Sequence, residues 1–343
     1  MKKRIFVLYT GGTIGMTPGA DGLRPDAALL ADALPSFSDG LSFDCRICEP
    51  LIDSSAVSLQ NWRDWLALLA ENIPRYDGVL LLHGTDTLAY TAALLALALR
   101  GLDKPVVLTG AQRPFGAAGS DAPRNLATAA AALKTGLPQV CIAFNGKLFP
   151  AIGSSKCSTE SDDGFANPHF GVLGTWSEER RRLTLNRPSE SPSAAANAFS
   201  DGLSDGLEVL NIDPQAEVAC LTLIPGFAMR QAADTLRRTA ARAAILQSYG
   251  HGNAPDDAEF ADAVRGYTER GGLLLNISQV PHGRAAAVYA QGATLRRSGA
   301  VSGGRCNLET ATALLTLAVS NGWDRARLEA ELATLGLRRP AFE

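Results

Sequence analysis

The chain has 343 residues, with 32 Lys and Arg against 35 Asp and Glu and a formal net charge of −3. That balance, with no basic run longer than Arg180 to Arg182 and its neighbours, leaves no electrostatic footprint for nucleic acid and directs attention to small-molecule partners. The length suits about two domains of roughly 150 residues, each large enough to bury its own core.

The chain starts Met1-Lys2-Lys3-Arg4, which has the charge of a signal-peptide n-region, but the apolar run Ile5 to Tyr9 is too short for an h-region. The longest later apolar stretch, Ala92 to Leu99, reads as a core helix, since a membrane span needs about 20 apolar residues. The expectation is a cytoplasmic protein with no membrane partner.

Ile5 to Tyr9 reads as a strand, and Tyr9-Thr10-Gly11-Gly12-Thr13-Ile14-Gly15-Met16 follows it. Two adjacent glycines permit positive φ and close approach of backbone to a ligand, and Thr10 and Thr13 put hydroxyls at the strand's carboxyl end. In open α/β sheets that end is where ligands bind. The stretch lacks the spacing of both the dinucleotide fingerprint and the P-loop. Taken alone it is equally an ordinary turn.

Further strands are expected at Phe43 to Ile47, Gly78 to Leu82, Val106 to Thr109 and Val140 to Phe144. Helices are expected near Asp26 to Ala33, Gln60 to Asn72, Thr87 to Arg100 and Pro123 to Lys134. This alternation predicts an α/β fold, a doubly wound parallel sheet with helices on both faces. The expected catalytic domain covers 1–186. Residues 187–212, rich in Pro, Ser, Ala and Gly from Arg187 to Glu208, read as a linker. A smaller C-terminal α/β domain follows over 213–343, with strands near Val218 to Leu223, Ala244 to Ser248 and Gly272 to Ile277. Its helices are expected near Arg230 to Thr239, Ala258 to Thr268 and Leu308 to Ser320.

Two more polar clusters follow buried strands. His83-Gly84-Thr85-Asp86-Thr87 feeds a helix, where Asp86 and Thr85 read as caps or as chemistry. Thr109-Gly110-Ala111-Gln112-Arg113-Pro114 leads to Ser120-Asp121, where Asp121 reads as a helix cap. Three such turns line several hydroxyls and a carboxylate along one sheet edge. Six cysteines without a secretion signal are expected as free thiols, and Cys45-Arg46-Ile47-Cys48 alternates like a strand rather than opening a helix as a redox motif does. The four histidines show no metal-ligand spacing.

Thr10-Gly11-Gly12-Thr13-Ile14-Gly15, His83-Gly84-Thr85-Asp86-Thr87 and Thr109-Gly110-Ala111-Gln112-Arg113-Pro114 with Ser120-Asp121 together resemble the bacterial L-asparaginase/glutaminase family. Leu51-Ile52-Asp53-Ser54-Ser55 and Ser248-Tyr249-Gly250-His251-Gly252-Asn253-Ala254-Pro255 resemble its cytoplasmic, type I branch. The resemblance runs along essentially the whole chain.

It implies hydrolysis of L-asparagine, with minor glutaminase activity and no cofactor or metal. A primary carboxamide needs a nucleophile, a proton donor for ammonia and a cradle for the oxyanion. By resemblance Thr13 is the nucleophile, and Thr85, Asp86 and Lys156 form a second constellation in which Lys156 relays a proton through Thr85. Asp86 also receives the substrate's α-ammonium group. Asp53, Ser54 and Ser55 hold its carboxylate, and the Ala111 carbonyl orients the leaving nitrogen. From residue type alone Lys156 reads as readily as an exposed surface lysine, and Cys157 beside it as a buried bystander. Asn253 resembles a residue that a neighbouring subunit contributes, which implies a homodimer or homotetramer.

Two positions depart from the family. Its lid carries a tyrosine in a Gly-Tyr-x-Pro context, whereas this chain reads Gly22-Leu23-Arg24-Pro25. The activating site of type I relatives uses an arginine before Ser-Tyr-Gly and a cysteine after a Thr-Gln pair, and here the positions are Gln247 and Val280. Two other readings remain: an amino-acid-binding homologue without turnover, and an ammonia-supplying amidotransferase subunit. The latter normally carries an added N-terminal domain, whereas here the first motif begins within about ten residues.

Overall fold

The computed structural model describes residues 1–19, 22–186, 206–286 and 290–338. The chain divides into two compact units, Met1–Val209 and Leu210–Glu343.

The first unit is built on eight strands: β1 (Lys3–Tyr9), β2 (Leu41–Ile47), β3 (Gly78–Leu82), β4 (Val106–Thr109), β5 (Val140–Phe144), β6 (Lys147–Pro150), β7 (Gly174–Ser177) and β8 (Arg182–Leu185). Their spatial order is β8-β7-β6-β5-β4-β3-β1-β2. The five strands β2-β1-β3-β4-β5 are parallel, and β6, β7 and β8 extend the sheet antiparallel. Parallel sheets are covered on both faces, so their strands read as unbroken apolar runs. Accordingly, all of β3, β4 and β5 is buried.

Among the described residues four α-helices accompany this sheet: α1 (Ala27–Ala33), α2 (Leu59–Asn72), α3 (Leu88–Ala98) and α4 (Ala122–Thr135). A capping box fixes the start of α2, with the Ser58 hydroxyl accepting from the Asn61 N–H and the Asn61 side chain accepting from the Ser58 N–H. Helix α4 stops at Gly136, whose φ of +71° is the left-handed cap that glycine adopts without strain. Helix α3 is apolar almost all round and buried accordingly. It ends at Ala98, not at Arg100 as the periodicity suggests, because Leu99–Arg100 pair as a short strand with Glu208–Val209. That pairing takes Glu208 and Val209 out of the expected linker; residues 187–205 of that stretch lie outside the described residues.

The second unit holds a four-stranded parallel sheet, β9 (Val218–Thr222), β10 (Ala243–Ser248), β11 (Leu273–Ser278) and β12 (Val301–Ser302), in that order. Helices α5 (Ala228–Arg238), α6 (Ala258–Glu269), α7 (Ala290–Arg297), α8 (Leu308–Ser320) and α9 (Arg325–Thr334) complete it. Leu223, Leu236, Leu246, Phe260, Val264 and Leu274 form its core. Among the described residues no helix is long and apolar enough to cross a membrane, and no cluster of three His, Cys, Asp or Glu is placed to hold a metal ion.

Candidate active site

In the parallel order β2-β1-β3-β4-β5 the chain runs outward from β1 on one side and from β3 on the other. The loops beyond β1 and β3 therefore diverge and leave a crevice, the position at which open α/β sheets bind ligands. Gly11 and Gly12, at φ +130° and +97°, let the chain turn out of β1 into the one-turn helix Thr13–Gly15. A Cβ on Gly12 would lie 2.4 Å from the Gly84 Cα, so the two turns meet backbone against backbone.

A third segment wedges beside them. Asp53 starts the short helix Ser54–Ala56, its carboxylate accepting from the Ser55 N–H and hydroxyl, both at 2.9 Å. These bonds, the backbone one foremost, hold the Asp53 carboxyl below the usual carboxylate range. Ser54 ties the segment to the β3 turn: its Oγ accepts from the Asp86 N–H at 3.3 Å and its carbonyl from the Thr87 hydroxyl at 2.7 Å.

Lys156 arrives from beyond β6, on the strand pair Ser155–Lys156 and Phe165–Ala166. Its Nζ donates to Thr85 Oγ1 at 2.9 Å and Asp86 Oδ1 at 2.6 Å, with the lysine side chain 19 % exposed. The exposed-lysine alternative is thereby removed. Thr13, Asp53, Ser54, Thr85, Asp86 and Lys156 line one cavity of about 250 Å³, with Gly12 and Gly84. Met16, Gln112 and Thr159 also line it, and residue type gave no signal for these three. A larger groove of about 570 Å³ runs along α4, walled by Phe37, Trp176 and the ion pairs Lys134–Asp39 and Arg124–Glu178, and none of the motif residues line it.

Other expected residues stand apart from that cavity. The Thr10 hydroxyl donates to the Leu82 carbonyl at 3.0 Å and clamps β1 to β3. Ala111 is buried in the core, and the exposed Ser55 turns its hydroxyl onto Asp53; neither lines the cavity. Asp121 makes no cap bond. Its carboxylate instead accepts from the Gln112 and Arg113 N–H groups and the Asn125 amide, which shapes the loop carrying Gln112.

Cys157 is exposed, not the buried neighbour expected of a cysteine, because its loop faces outward with the thiol 3.3 Å from the Asp163 carbonyl. Leu23 lies in the hairpin Met16–Gly19 with Gly22–Pro25, opposite Pro18. Tyr9 offers no substitute phenol for the lid: its Oη is buried in the core without a hydrogen-bond partner among the described residues, and burial, then Asp26 and Cys45, push its pKa up to about 12.

In the second unit, Asn253 closes a tight turn with Tyr249 through bonds of 3.0 and 2.8 Å, and its Oδ1 is buried without a partner among the described residues. Gln247 donates to Thr222 Oγ1 at 3.0 Å, and Val280 is exposed.

A two-unit α/β chain with two threonines, an aspartate and a lysine converging on the sheet's switch point belongs to the asparaginase family. The family described as "Asparaginase, N-terminal" matches residues 4–190, and "Glutaminase/Asparaginase C-terminal domain" matches residues 217–331. The chain is similar to L-asparaginase 1 of Escherichia coli K12, at 33% identity over 330 residues covering 94% of each chain. Among solved structures it is similar to L-asparaginase I from Vibrio cholerae, with a TM-score of 0.82 and 29% identity over 97% of each chain. It is also similar to a probable cytoplasmic L-asparaginase from Campylobacter jejuni, with a TM-score of 0.78 and 26% identity over 97% of this chain and 99% of that one.

Proposed function

We propose that this protein is an L-asparagine amidohydrolase that releases L-aspartate and ammonia through an ester formed on Thr13. The observation that carries the reading is the grouping of Lys156 Nζ with Thr85 Oγ1 and Asp86 Oδ1, at 2.9 and 2.6 Å, on the cavity that Thr13 also lines.

Thr13 Oγ attacks the side-chain carbonyl carbon, and the C=O electron pair moves onto oxygen. When the tetrahedral species collapses, the C–N bond breaks and the nitrogen leaves as ammonia, taking a proton. A water then attacks the ester, and its protons restore the Thr13 hydroxyl and leave aspartate. A threonine hydroxyl is a weak nucleophile at neutral pH, and a positioned base contributes about 10²–10⁴-fold. Lys156, once neutral, exchanges that proton through Thr85. Asp86 takes the substrate's α-ammonium group, and Ser54, whose Oγ accepts from the Asp86 N–H and keeps its own hydrogen to donate, holds the α-carboxylate from the cavity wall. Every step uses side-chain and backbone groups alone, so the reading calls for no cofactor.

Assembly as a homodimer or homotetramer, with Asn253 near a neighbouring subunit's site, belongs to this reading. It is supported by the Asn253 Oδ1, an acceptor with no partner within its own chain among the described residues. A cytoplasmic location is supported by the likeness to the Campylobacter protein.

The test is ammonia release from L-asparagine, L-glutamine and their D-forms, beside Thr13→Ala. Turnover of L-asparagine that Thr13→Ala abolishes is expected. Turnover indifferent to that substitution overturns the nucleophile, and tight amino-acid binding without ammonia overturns the enzyme.

A further inference from the structure

His83 is wholly buried between β3 and the Thr85–Asp86 turn. Its Nδ1 lies 2.7 Å from the Gly84 carbonyl oxygen and its Nε2 3.0 Å from Thr91 Oγ1, and Trp62 Nε1 lies 2.9 Å from the same hydroxyl. The two ends of this chain fix every proton in it. An indole N–H only donates and a carbonyl only accepts. Thr91 Oγ1 therefore accepts from Trp62, its own O–H donates to Nε2, and the Nδ1–H of a neutral imidazole donates to Gly84. Burial holds the His83 pKa down to about 4, so the neutral ring persists at neutral pH. The Trp65 ring packs edge-on against it at 5.4 Å.

The Gly84 carbonyl shares a planar unit with the Thr85 N–H, and in a trans peptide the two point in opposite directions. Anchoring the carbonyl on His83 thus turns the N–H away from the core, to the side where Gly12, Thr85 and Asp86 line the cavity. That N–H has no hydrogen-bond partner among the described residues. Residue 84 must be glycine here, since a Cβ would lie 2.5 Å from Ser54 Oγ. A glycine also leaves the next peptide free to rotate, so an anchor is needed.

We propose that His83 is a positioning residue for the oxyanion hole: its Nδ1–H bond to Gly84 holds the Gly84–Thr85 peptide so that the Thr85 N–H donates to the oxyanion formed at the substrate amide. Trp62 and Thr91 act behind it by setting the tautomer. The inference rests on the amidohydrolase reading.

The experiment compares wild type with His83→Asn, His83→Gln and Thr91→Val for kcat and KM on L-asparagine and for Kd of L-aspartate, whose side-chain carboxyl carbon is planar and forms no oxyanion intermediate. The Asn amide nitrogen occupies the place of Nδ1 and keeps the donor, whereas the Gln amide reaches only the place of Nε2. Loss of one oxyanion donor costs about 10²–10³ in kcat, so a mispositioned one in His83→Gln should cost at least ~10-fold, with KM and the aspartate Kd nearly unchanged. His83→Asn should restore most of that rate. Thr91→Val, which leaves the ring and its Gly84 bond but removes the hydroxyl that donates to Nε2, should lower kcat by a smaller factor.

An unchanged kcat in His83→Gln, or an equal loss in His83→Asn, overturns the inference. So does a rise in KM and aspartate Kd that matches the lost rate. If His83→Gln does not fold, an unchanged kcat in Thr91→Val overturns it, as does a ¹⁵N spectrum of the wild type showing His83 protonated on Nε2. A wild type silent on all four amides overturns the amidohydrolase reading as well; a wild type that turns over beside equally active variants overturns this inference alone.

Discussion

Lys156 Nζ donates to Thr85 Oγ1 at 2.9 Å although the two residues are 71 apart in sequence, and the same nitrogen reaches Asp86 Oδ1 at 2.6 Å. A lysine in that place can give up a proton during the reaction, and an arginine cannot, because its guanidinium stays charged at every accessible pH. Lys156→Met is expected to lower kcat by about 10²–10⁴-fold. Lys156→Arg should fail to restore it, although it keeps the charge beside Asp86. Steady-state kinetics on L-asparagine check both.

His83 makes stability depend on pH in a definite direction. Its pKa in the folded protein is about 4, below the 6.5 of an unperturbed imidazole. Between these values the unfolded chain binds a proton that the folded chain refuses, so the contribution is complete above about pH 6.5 and drains away as pH falls towards 4. The loss should approach about 3 kcal/mol, from ~1.36 kcal/mol per pKa unit. Urea unfolding of wild type and His83→Asn at pH 7 and pH 4.5 checks it, since the variant should lose less.

Gly12→Ala should harm both stability and activity. The new Cβ would sit 2.4 Å from Gly84 Cα, on a backbone with φ +97° that alanine rarely adopts. Overpacking and left-handed strain cost about 1–3 kcal/mol each. A lowered Tm together with a collapsed kcat is expected, because relief of the clash parts the turns that carry Thr13 and Thr85.

By the family resemblance Leu23 takes the place of a lid tyrosine, and it lies in a hairpin whose first residue, Met16, lines the cavity. Leu23→Tyr is expected to raise kcat more than it lowers KM, the mark of an interaction made chiefly in the transition state. Parallel changes in both constants, or no gain, would show that the lid has another solution.

Most parallel strands were legible because strands covered on both faces are unbroken apolar runs, as in Val79 to Leu82 and Val140 to Phe144, whereas the two-residue strand Val301–Ser302 is too short to show a pattern. Strands β6, β7 and β8 escaped notice. Each has only four residues, and Arg182–Leu185 is mostly exposed, so neither length nor alternation marks it. The parting of Leu99–Arg100 from helix α3 depends on a partner more than 100 residues away, which no local pattern reports. Within the site, motif residues such as Thr13, Thr85 and Asp86 could be named in advance. Gln112 and Thr159 could not, since a loop residue's neighbours are set by where the loop is tied, here through Asp121. Cys157 went wrong because cysteines are usually buried.

The Trp62–Thr91–His83 chain joins the backbone of the reaction site to the interior of the first unit rather than to its surface. The molecule is thus divided into a fixed floor and an exchangeable roof. Substitutions in the hairpin that carries Met16 alter one wall of the cavity. They do so without retooling the dipoles beneath, and substrate range can drift while the chemistry stays in place.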